Sequence, residues 1–491
     1  MDDTRPTSRQ PATDQASPHL KTPMTRDSAI YWSASQGEPC PAFAPLEGHQ
    51  HADVVIIGGG FTGLWSAFYL KSQAPELAVT VLEAQRFGHG ASGRNGGWVV
   101  GNLAGLERHL HGLNRDRREA CCRLLADNVD IIGDTLRRAG IDAEFHKGGA
   151  LYAAARYPAQ EAIQRDYLQH LLALGHDPRD CRWLDADELT SQARFRDARG
   201  GIFHRQVATL HPRRLINGLV RRLEQMGVVL HEDSRVTHLA EREVTTARGR
   251  VGATTVICAT EGYGEQLAPL NRHLIPVQSL VIATEPLSTE RWDEIGLADR
   301  PTFADASRLI NYGHRTQDGR LVFGARGSYR FGARPRHTTG IDPADIAMRR
   351  DLLVDLFPAL DGVEISHGWG GSLGLSRSFR PHAIHDPNKG LATAGGYAGE
   401  GVAASHLMAR TLADMILGRD SELTRMPWAF AGQGLDQVIK RWEPEPLRWL
   451  AAQAITCSYA QEEKLMQQRK HLPLVSPALT RLNDIFSSII E

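Results

Sequence analysis

The stretch from residue 53 to residue 83 constrains the fold more than any other part of the sequence. It begins with "DVVII", a short β-branched run that ends at glycine and predicts a buried strand. The following "GGGFTGLWSAFYLKSQ" predicts a glycine turn that leads into a helix, and "AVTVLE" predicts a second strand. Together the three parts predict a βαβ unit.

The glycine turn of this unit has the spacing G-x-G-x-x-G, formed by Gly58, Gly60 and Gly63. The first glycine allows the tight turn, the second lets the backbone approach a pyrophosphate, and the third lets the helix pack closely on the strand. The helix N-terminus offers free N–H groups to the phosphates. Glu83 ends the second strand, where its carboxylate can accept hydrogen bonds from ribose hydroxyls. The pattern predicts dinucleotide binding rather than a chance glycine turn, and leaves NAD and FAD open.

A second glycine segment, "GASGRNGG" at 90–97, follows the second strand and is expected near the same edge of the sheet. Its glycines let the backbone lie close to a ligand. Ser92 and Asn95 can form hydrogen bonds, and Arg94 can neutralise phosphate charge. The alternative is a flexible surface loop with a solvated arginine.

A third segment, "GGYAGEGVAASH" at 395–406, predicts a strand that ends in glycines, a loop, and a helix that starts near Gly401. The N-terminus of such a helix stabilises negative charge on a bound group. Alone, the segment equally fits a glycine-capped helix start in an ordinary α/β domain. The two preceding segments favour the ligand-binding interpretation.

Composition and charge exclude several classes of protein. The 491 residues carry a formal net charge of −1, so no nucleic-acid partner is expected, because nucleic-acid-binding domains usually show a basic stripe. No uninterrupted apolar run reaches about 18 residues, so no membrane span is expected. The six cysteines form no CxxC or other metal-ligand spacing, so no metal site is expected, and their low number favours a reducing cytoplasm. The first ten residues lack the pattern of a secretory signal, which also favours a cytoplasmic location.

The three glycine segments, in this order, resemble the FAD-dependent oxidoreductases of the D-amino-acid oxidase class. "GASGRNGG" and "GGYAGEGVA" are most similar to the branch with γ-glutamylputrescine oxidase and other amine oxidases, and the resemblance covers roughly residues 50–420. It implies an α/β fold, α+β overall, in which a Rossmann-like FAD-binding domain is interleaved with a substrate domain on a mixed or antiparallel sheet. The distribution of nucleotide-binding patterns along the chain also favours two interleaved domains.

The expected domain boundaries follow from this pattern. We expect an N-terminal tail and lead-in at 1–50, an FAD-binding domain made of 51–104, 205–272 and 365–420, a substrate domain made of 105–204 and 273–364, and a C-terminal helical extension at 421–491. The extension carries Trp442 and Trp449 near a helix start. Packing against the FAD-binding domain is the favoured interpretation, with an oligomer interface or an active-site cover as alternatives.

The resemblance also implies which residues contact FAD. The FAD pyrophosphate would lie at Gly58, Gly60, Phe61, Thr62 and Gly63 and at the strand end of Ala259 and Thr260. Glu83 would bind the adenosine ribose, Val236 would meet the adenine, and Ala84 would also contact the cofactor. The segment that runs toward the flavin would be Ala91, Ser92, Arg94, Asn95, Gly96 and Gly97. The pyrimidine end of the flavin would lie at Gly396, Tyr397, Gly399, Gly401 and Val402.

Two departures from the family pattern predict that FAD is bound non-covalently. Members with a histidine-linked flavin carry that histidine where Arg94 stands in this sequence. Members linked through cysteine carry it near the stretch "GLSRSFRP" at 374–381, which has no cysteine.

The family reaction is the oxidation of a C–N bond in an amine or amino-acid-like substrate. The implied steps are hydride transfer to flavin N5, hydrolysis of the imine, and reoxidation by O2 with formation of H2O2. The alternative is an amine dehydrogenase that uses an acceptor other than oxygen. A monooxygenase is disfavoured because no second G-x-G-x-x-G that leads into a helix is present for NAD(P)H. The expected partners are a small-molecule amine and O2, and a homo-oligomer remains open.

Candidate catalytic and substrate-binding residues lie in two regions. Beside the third glycine segment, Tyr397 and Glu400 are the better candidates, and Glu400 could hold a cationic amine. The stretch 310–327 resembles strands that line the substrate cavity, and its candidates are Tyr312, His314, Arg315 and Arg326. An arginine there could clamp a carboxylate or phosphonate, although a solvated side chain on a strand is the more common case. Trp98 could lie against the flavin ring or could only pack against other side chains. His211, before Pro212, is expected to have a structural role.

Overall fold

The computed structural model describes residues 29–308, 310–467 and 479–483, so the predicted N-terminal tail lies almost entirely outside the described residues. Within them the strands, in chain order, are β1 (Gly48–Ile57), β2 (Val79–Leu82), β3 (Trp98–Val100), β4 (Ala150–Ala154), β5 (Cys181–Leu184), β6 (Gly200–His204), β7 (Val207–Thr209), β8 (Val229–His231), β9 (Val236–Ala240), β10 (Glu243–Thr246), β11 (Gly249–Cys258), β12 (Leu274–Thr284), β13 (Thr302–Asp305), β14 (Asn311–Arg315), β15 (Leu321–Tyr329), β16 (Ile365–Ser376), β17 (His382–Asp386), β18 (Leu391–Gly395) and β19 (Ala429–Ala431).

The helices alternate with these strands. They are α1 (Tyr31–Ala34), α2 (Phe61–Gln73), α3 (Glu107–Leu110), α4 (Arg115–Ala139), α5 (Ala159–Leu174), α6 (Ala186–Gln192), α7 (Pro212–Gln225), α8 (Thr289–Ile295), α9 (Pro343–Leu356), α10 (Gly401–Ile416), α11 (Leu435–Val438) and α12 (Leu447–Gln467). Among the described helices, none is both long and apolar enough to cross a membrane.

The first sheet is built around the predicted βαβ unit. Its strand order is β19-β17-β18-β11-β1-β2-β8, and β1 runs parallel to both β2 and β11. The last four residues of β1 are buried and point alternately to the two faces. Val54 and Ile56 pack with α2, α7 and α10, whereas Val55 and Ile57 pack with β9 to β11 on the opposite face. A strand buried on both faces explains why this segment is a continuous apolar run.

The second sheet is mixed and mostly antiparallel. Its order is β16-β12-β15-β14-β13-β4-β6-β5, and the β13–β4 pair is parallel. One face packs on α6, α8 and α9 through apolar side chains that include Phe303, Phe323 and Leu353. The predicted class, α/β with a mixed or antiparallel second sheet, is confirmed.

The glycine turn produces a close contact between β1 and α2. A Cβ atom on Gly63 would lie 2.0 Å from the Gly58 carbonyl oxygen, so no larger residue fits there without moving the backbone. The predicted start of α7 is also confirmed, because Pro212 is the first helical residue and His211 accepts a hydrogen bond from Arg214 N as the N-cap. His211 therefore has the structural role expected from the sequence.

Two segments differ from the domain pattern expected from the sequence. Residues 365–376, placed in the FAD-binding segment 365–420, form β16, which pairs along its whole length with β12 of the second sheet. Within the extension 421–491, β19 adds to the edge of the first sheet beside β17. The extension is therefore not purely helical in its described part.

The start of helix α12 packs against the second sheet. Trp442, which precedes the helix, and Trp449 in its first turn form an apolar cluster with Ile275 and Tyr329 of β12 and β15. The favoured interpretation from the sequence, packing against the FAD-binding domain, does not describe these two tryptophans, whereas Trp428 and Leu435 of the same extension lie in the apolar cores of the first sheet. The physical reason is that the apolar partners of the two tryptophans lie on the second sheet, a fact that residues 421–491 do not encode by themselves.

Candidate active site

A cavity of about 980 Å³ lies where the three glycine segments meet the second sheet. Strand β12 lines it with Ile275, Val277 and Ser279, which share one face of the strand, and with Gln278. Most residues predicted from the sequence lie in its wall: Gly58, Gly60, Phe61, Thr62, Glu83, Ala84, Ala91, Ser92, Arg94, Asn95, Gly96, Val236, Ala259, Thr260, Tyr312, Tyr397, Gly399, Glu400, Gly401 and Val402.

Three of the predicted cofactor residues, all of them glycines, do not line the cavity. They allow the backbone conformation around it instead. Gly63 lies under the Gly58 carbonyl. Gly97 has φ of +78°, and Gly396 has φ of +76°, a region that disfavours residues with a Cβ atom. Gly396 also donates its N–H to Glu261 Oε1 at 2.9 Å.

Ser92 joins the second glycine segment to the first. Its Oγ accepts a hydrogen bond of 2.8 Å from Phe61 N at the start of α2. A Cβ atom on Gly60 would lie 2.8 Å from the same Oγ, so the absence of a side chain at Gly60 is what permits this approach. The two segments therefore form one continuous wall of backbone.

Glu83 is held in place by two backbone donors. Its Oε2 accepts a hydrogen bond from Gly59 N and its Oε1 accepts one from Gln85 N, both at 2.9 Å. Burial raises the pKa of this carboxyl above its usual value. Each carboxylate oxygen can accept more than one hydrogen bond, so hydroxyl donors in the cavity can still be bound.

Arg94 and Asn95 make contacts that the sequence did not predict. The Arg94 guanidinium donates to the Gly370 carbonyl at 3.2 Å, and Trp369 Nε1 donates to the Arg94 carbonyl at 2.9 Å. Asn95 donates to the Ser92 carbonyl at 2.7 Å and accepts from Gly97 N at 2.8 Å. Arg94 therefore attaches the loop to the second sheet, and Asn95 stabilises the loop by hydrogen bonds within it. The contact of either residue with phosphate or flavin stays a prediction.

Aromatic side chains also line the cavity. The Tyr312 hydroxyl lies 3.3 Å from Ser279 Oγ, and its ring meets that of Trp98 edge-on at 5.7 Å. Tyr397 is buried, with its hydroxyl 2.9 Å from Thr62 Oγ1. Trp98 therefore packs against Tyr312 and also lines the cavity.

Glu400 is the acidic group beside α10. It is partly buried, and burial raises the pKa of its carboxyl to about 7. Its Oε2 is shielded from solvent and has no hydrogen-bond partner within the described residues. Tyr152 and Tyr167 line the same part of the cavity, close enough for the Glu400 charge to raise their pKa values further after burial.

Two of the other candidates on 310–327, His314 and Arg315, are not in the cavity wall. His314 is buried and stacks on Trp32 at 6.2 Å, and the Arg315 guanidinium lies 4.1 Å from the centre of the Trp292 ring. Arg315 points away because neighbouring residues of a strand alternate between faces. His314 lies two residues after Tyr312 on the same face of β14, and its ring packs against Trp32 outside the cavity wall. Arg326 stands opposite Ser279 in the β12–β15 pair, and its side chain lies outside the described part of the structure.

Sequence reasoning missed Glu261, which lies in the cavity wall directly after Ala259 and Thr260. Its Oε1 accepts hydrogen bonds from Gly396 N at 2.9 Å and Tyr397 N at 3.3 Å, so it orients the third glycine segment. Burial raises the pKa of this carboxyl to about 7. The acid in "CATEG", at the end of a buried strand, was the signal that could have found it.

Helix α12 also contributes to the wall, through Leu447, Arg448, Ala451 and Ile455. The alternative that the extension covers the active site therefore agrees with the position of this helix. Sequence patterns did not reveal this contact because α12 follows the rest of the site by dozens of residues and carries no motif.

Comparison with known proteins agrees with this geometry. Residues 53–415 match the family described as FAD dependent oxidoreductase, which is most of the chain. The chain belongs to this family. It is an FAD-dependent oxidoreductase, and the resemblance inferred from the glycine segments is confirmed.

Several FAD-dependent oxidoreductases are similar over most of their length. The chain is 29% identical to a probable oxidoreductase OrdL from Haemophilus influenzae and 30% identical to γ-glutamylputrescine oxidoreductase from Escherichia coli, in each case over 80% of this chain and 90% of the relative. The solved structure of glycine oxidase from Geobacillus kaustophilus has the same fold, with a TM-score of 0.65, 18% identity, and coverage of 78% of this chain and 99% of that one.

The residues present fit FAD. The cavity has the size of large cofactor sites, and one side of it is bare backbone from the glycine segments. The N-termini of α2 and α10 both begin at this wall, where they favour negative charge. None of the six cysteines is among the lining residues, whereas His89 and His337 are, and the non-covalent binding of FAD stays a prediction.

Proposed function

We propose that the enzyme oxidises a C–N bond of a small amine or amino-acid-like substrate, with O2 as the electron acceptor. Bound FAD would accept a hydride at N5 from the carbon next to nitrogen and pass the electrons to O2, giving H2O2. The oxidised substrate, an imine, would then be hydrolysed by water to a carbonyl compound. The amine oxidoreductase and glycine oxidase among the similar proteins support this reaction class.

The observation that carries the proposal is the Glu400 carboxyl in the cavity wall, beside Tyr152 and Tyr167. Aromatic faces and a carboxylate together attract an ammonium group. A dry environment raises the pKa of a carboxyl and lowers that of an amine. The ammonium proton would therefore pass to Glu400, leaving the neutral amine that the reaction requires.

Other residues would orient the substrate and exclude water. The Tyr397 hydroxyl is anchored on Thr62, and Tyr312 is wedged between Trp98 and Ser279, so both rings have restricted freedom. Helix α12 would close the remaining side. We also propose that the first sheet with its helices is the FAD-binding domain and the second sheet the substrate domain, and that FAD is held non-covalently.

The test is an anaerobic visible spectrum of the purified enzyme, titrated with a panel of amines and amino acids and then opened to air. We expect one class of amine to bleach the flavin band and air to restore it. Bleaching that only a quinone or dye reverses would replace the oxidase by a dehydrogenase. A loaded flavin that no member of the panel reduces would contradict C–N oxidation of this substrate class. Release of FAD by acid precipitation tests the non-covalent binding.

A further inference from the structure

Three side chains with metal-binding atoms come together behind the cavity wall, although their spacing along the chain matches no metal-binding motif. His176 follows the end of α5, Cys181 begins β5, and His204 ends β6. One ligand atom from each lies within 4.8 Å of the other two. Cys181 and His204 stand directly opposite each other in the antiparallel β5–β6 pair, and the two imidazole centroids are 6.0 Å apart.

The cluster is buried and partly unsatisfied. His176, Cys181 and His204 expose 7%, 1% and 4% of their surface. His204 Nε2 is shielded from solvent and has no hydrogen-bond partner within the described residues. A buried imidazole nitrogen without a partner is costly, and a bound cation would satisfy it.

The donor set selects a particular chemistry. One thiol and two imidazoles are the ligands preferred by soft or borderline cations such as Zn2+ and Cu+, whereas Mg2+ and Ca2+ prefer oxygen. Leu168, Leu171 and Ile202 form an apolar cluster with Cys181, which disfavours a hydrated ion with many waters.

The geometry points to a structural site for one thiophilic d10 cation, with Zn2+ as the representative, held by His176, Cys181 and His204. The thiol would lose its proton to solvent as the metal binds, and no oxidation change is involved. The site would tie the end of α5 to β5 and β6, beneath the wall to which Tyr152 and Tyr167 belong. Spacing along the chain did not predict it, because its ligands come together only through strand pairing.

The first test measures metal by elemental analysis in the full-length protein, purified without an affinity tag from zinc-supplemented medium. We expect about one zinc or copper ion per chain, as for a structural site. Cys181→Ser should contain less than about a tenth of this amount. Cys258→Ser is the matched control, since Cys258 is also 1% exposed but lies in the first sheet, and it should keep the full metal content.

The second test uses the wild-type protein, so its result does not depend on whether a variant folds. X-ray absorption at the metal edge of the wild-type protein should show one sulfur at about 2.3 Å and nitrogen ligands at about 2.0 Å. Flavin content is recorded in parallel to show that each sample is folded. A wild-type protein without metal, equal metal in Cys181→Ser, or a shell of oxygen and nitrogen only would overturn the proposal.

Discussion

At the scale of single residues, the glycines of the cavity wall are explained by what lies against them. A Cβ atom on Gly96 would lie 2.4 Å from the Tyr312 ring, and one on Gly324 would lie 2.3 Å from the same ring. Tyr312 is thus enclosed by two glycines and cannot yield easily, because Trp98 and Ser279 contact its other sides. Glycine at position 96 is therefore required by side-chain packing and not by an unusual φ angle.

We predict that Gly96→Val abolishes flavin retention while the protein stays folded. The new side chain would push Tyr312 into the cavity or displace the loop that follows Ser92, and overpacking of this kind costs about 1–3 kcal/mol. The measurement is the ratio of flavin to protein absorbance after purification, with circular dichroism as the check of folding. Gly112→Val is the control, since nothing lies within 4 Å of its Cβ position. A fully loaded Gly96→Val protein would contradict the placement of this loop against FAD.

A second prediction at this scale concerns the pH dependence of Glu400. Its pKa is raised to about 7 by burial, so the carboxyl is neutral below that pH and cannot attract an ammonium group. For an amine that stays protonated throughout, kcat/KM should fall as pH decreases through about 7. Glu400→Gln should lower kcat/KM about 10- to 100-fold above pH 7, the loss of one charge-assisted hydrogen bond, and should remove this pH limb.

The control for this experiment is Glu161→Gln, which alters an exposed ion pair with Arg165 on α5. It should leave both kcat/KM and its pH profile unchanged, because exposed pairs contribute little. If the acidic limb persisted in Glu400→Gln, another group would be responsible and the role assigned to Glu400 would be wrong.

At the scale of elements, helix α12 depends on a buried polar cluster for its position. Glu463 Oε1 accepts hydrogen bonds from Arg156 Nη2, the Tyr157 hydroxyl and Ser307 Oγ, each at 3.2 Å. Arg156 is itself buried and donates to Asp305 Oδ2 at 2.7 Å. Helix α12 is therefore attached to the second sheet by charge as well as by the apolar cluster of the two tryptophans.

We predict that Glu463→Gln loosens α12 and raises the KM for the amine several-fold, with a smaller change in kcat. Weakening a charge-assisted contact by about 1–2 kcal/mol increases the detached population roughly 5- to 30-fold. The measurements are steady-state kinetics and the rate of limited proteolysis within 447–467. Glu422→Gln removes an exposed pair with Arg123 elsewhere in the extension and should change neither. Unchanged proteolysis in Glu463→Gln would show that the tryptophans alone hold the helix.

At the scale of the whole molecule, the cavity is shared by both sheets. Glu83 and Val236 come from the first sheet, whereas Val277 and Tyr312 come from the second. The Arg94 guanidinium crosses from a loop of the first to the Gly370 carbonyl of the second. A ligand in this cavity should therefore stabilise both parts together.

We predict that FAD raises the unfolding temperature of the apoprotein as a single transition. At a concentration 100 times its dissociation constant, a ligand contributes about 2.7 kcal/mol. With an unfolding entropy of about 2.1 cal/mol/K per residue, the shift for this chain is about 3 °C. Differential scanning calorimetry of apo and reloaded protein is the measurement, and Gly96→Val should show no shift. Two transitions, only one of which responds to FAD, would contradict the shared cavity.

Local sequence determined the parts of this protein whose physics is local. The buried strand β1, the turn at Gly58 and Gly60, and the start of α2 follow from β-branching, glycine freedom and helix-end chemistry over a few residues. The start of α7 at Pro212 follows from the same kind of rule. Because the FAD-binding segments are of this type, the family and the cofactor could be inferred before the structure.

The tertiary structure alone decided the long-range partners. The sequence did not indicate that Arg94 would donate to Gly370, that α12 would cover the second sheet, or that His176, Cys181 and His204 would meet. These contacts depend on which apolar faces are left to be buried and on strand pairing between distant segments. Such choices are set by the packing of the whole chain, and no window of neighbouring residues contains them.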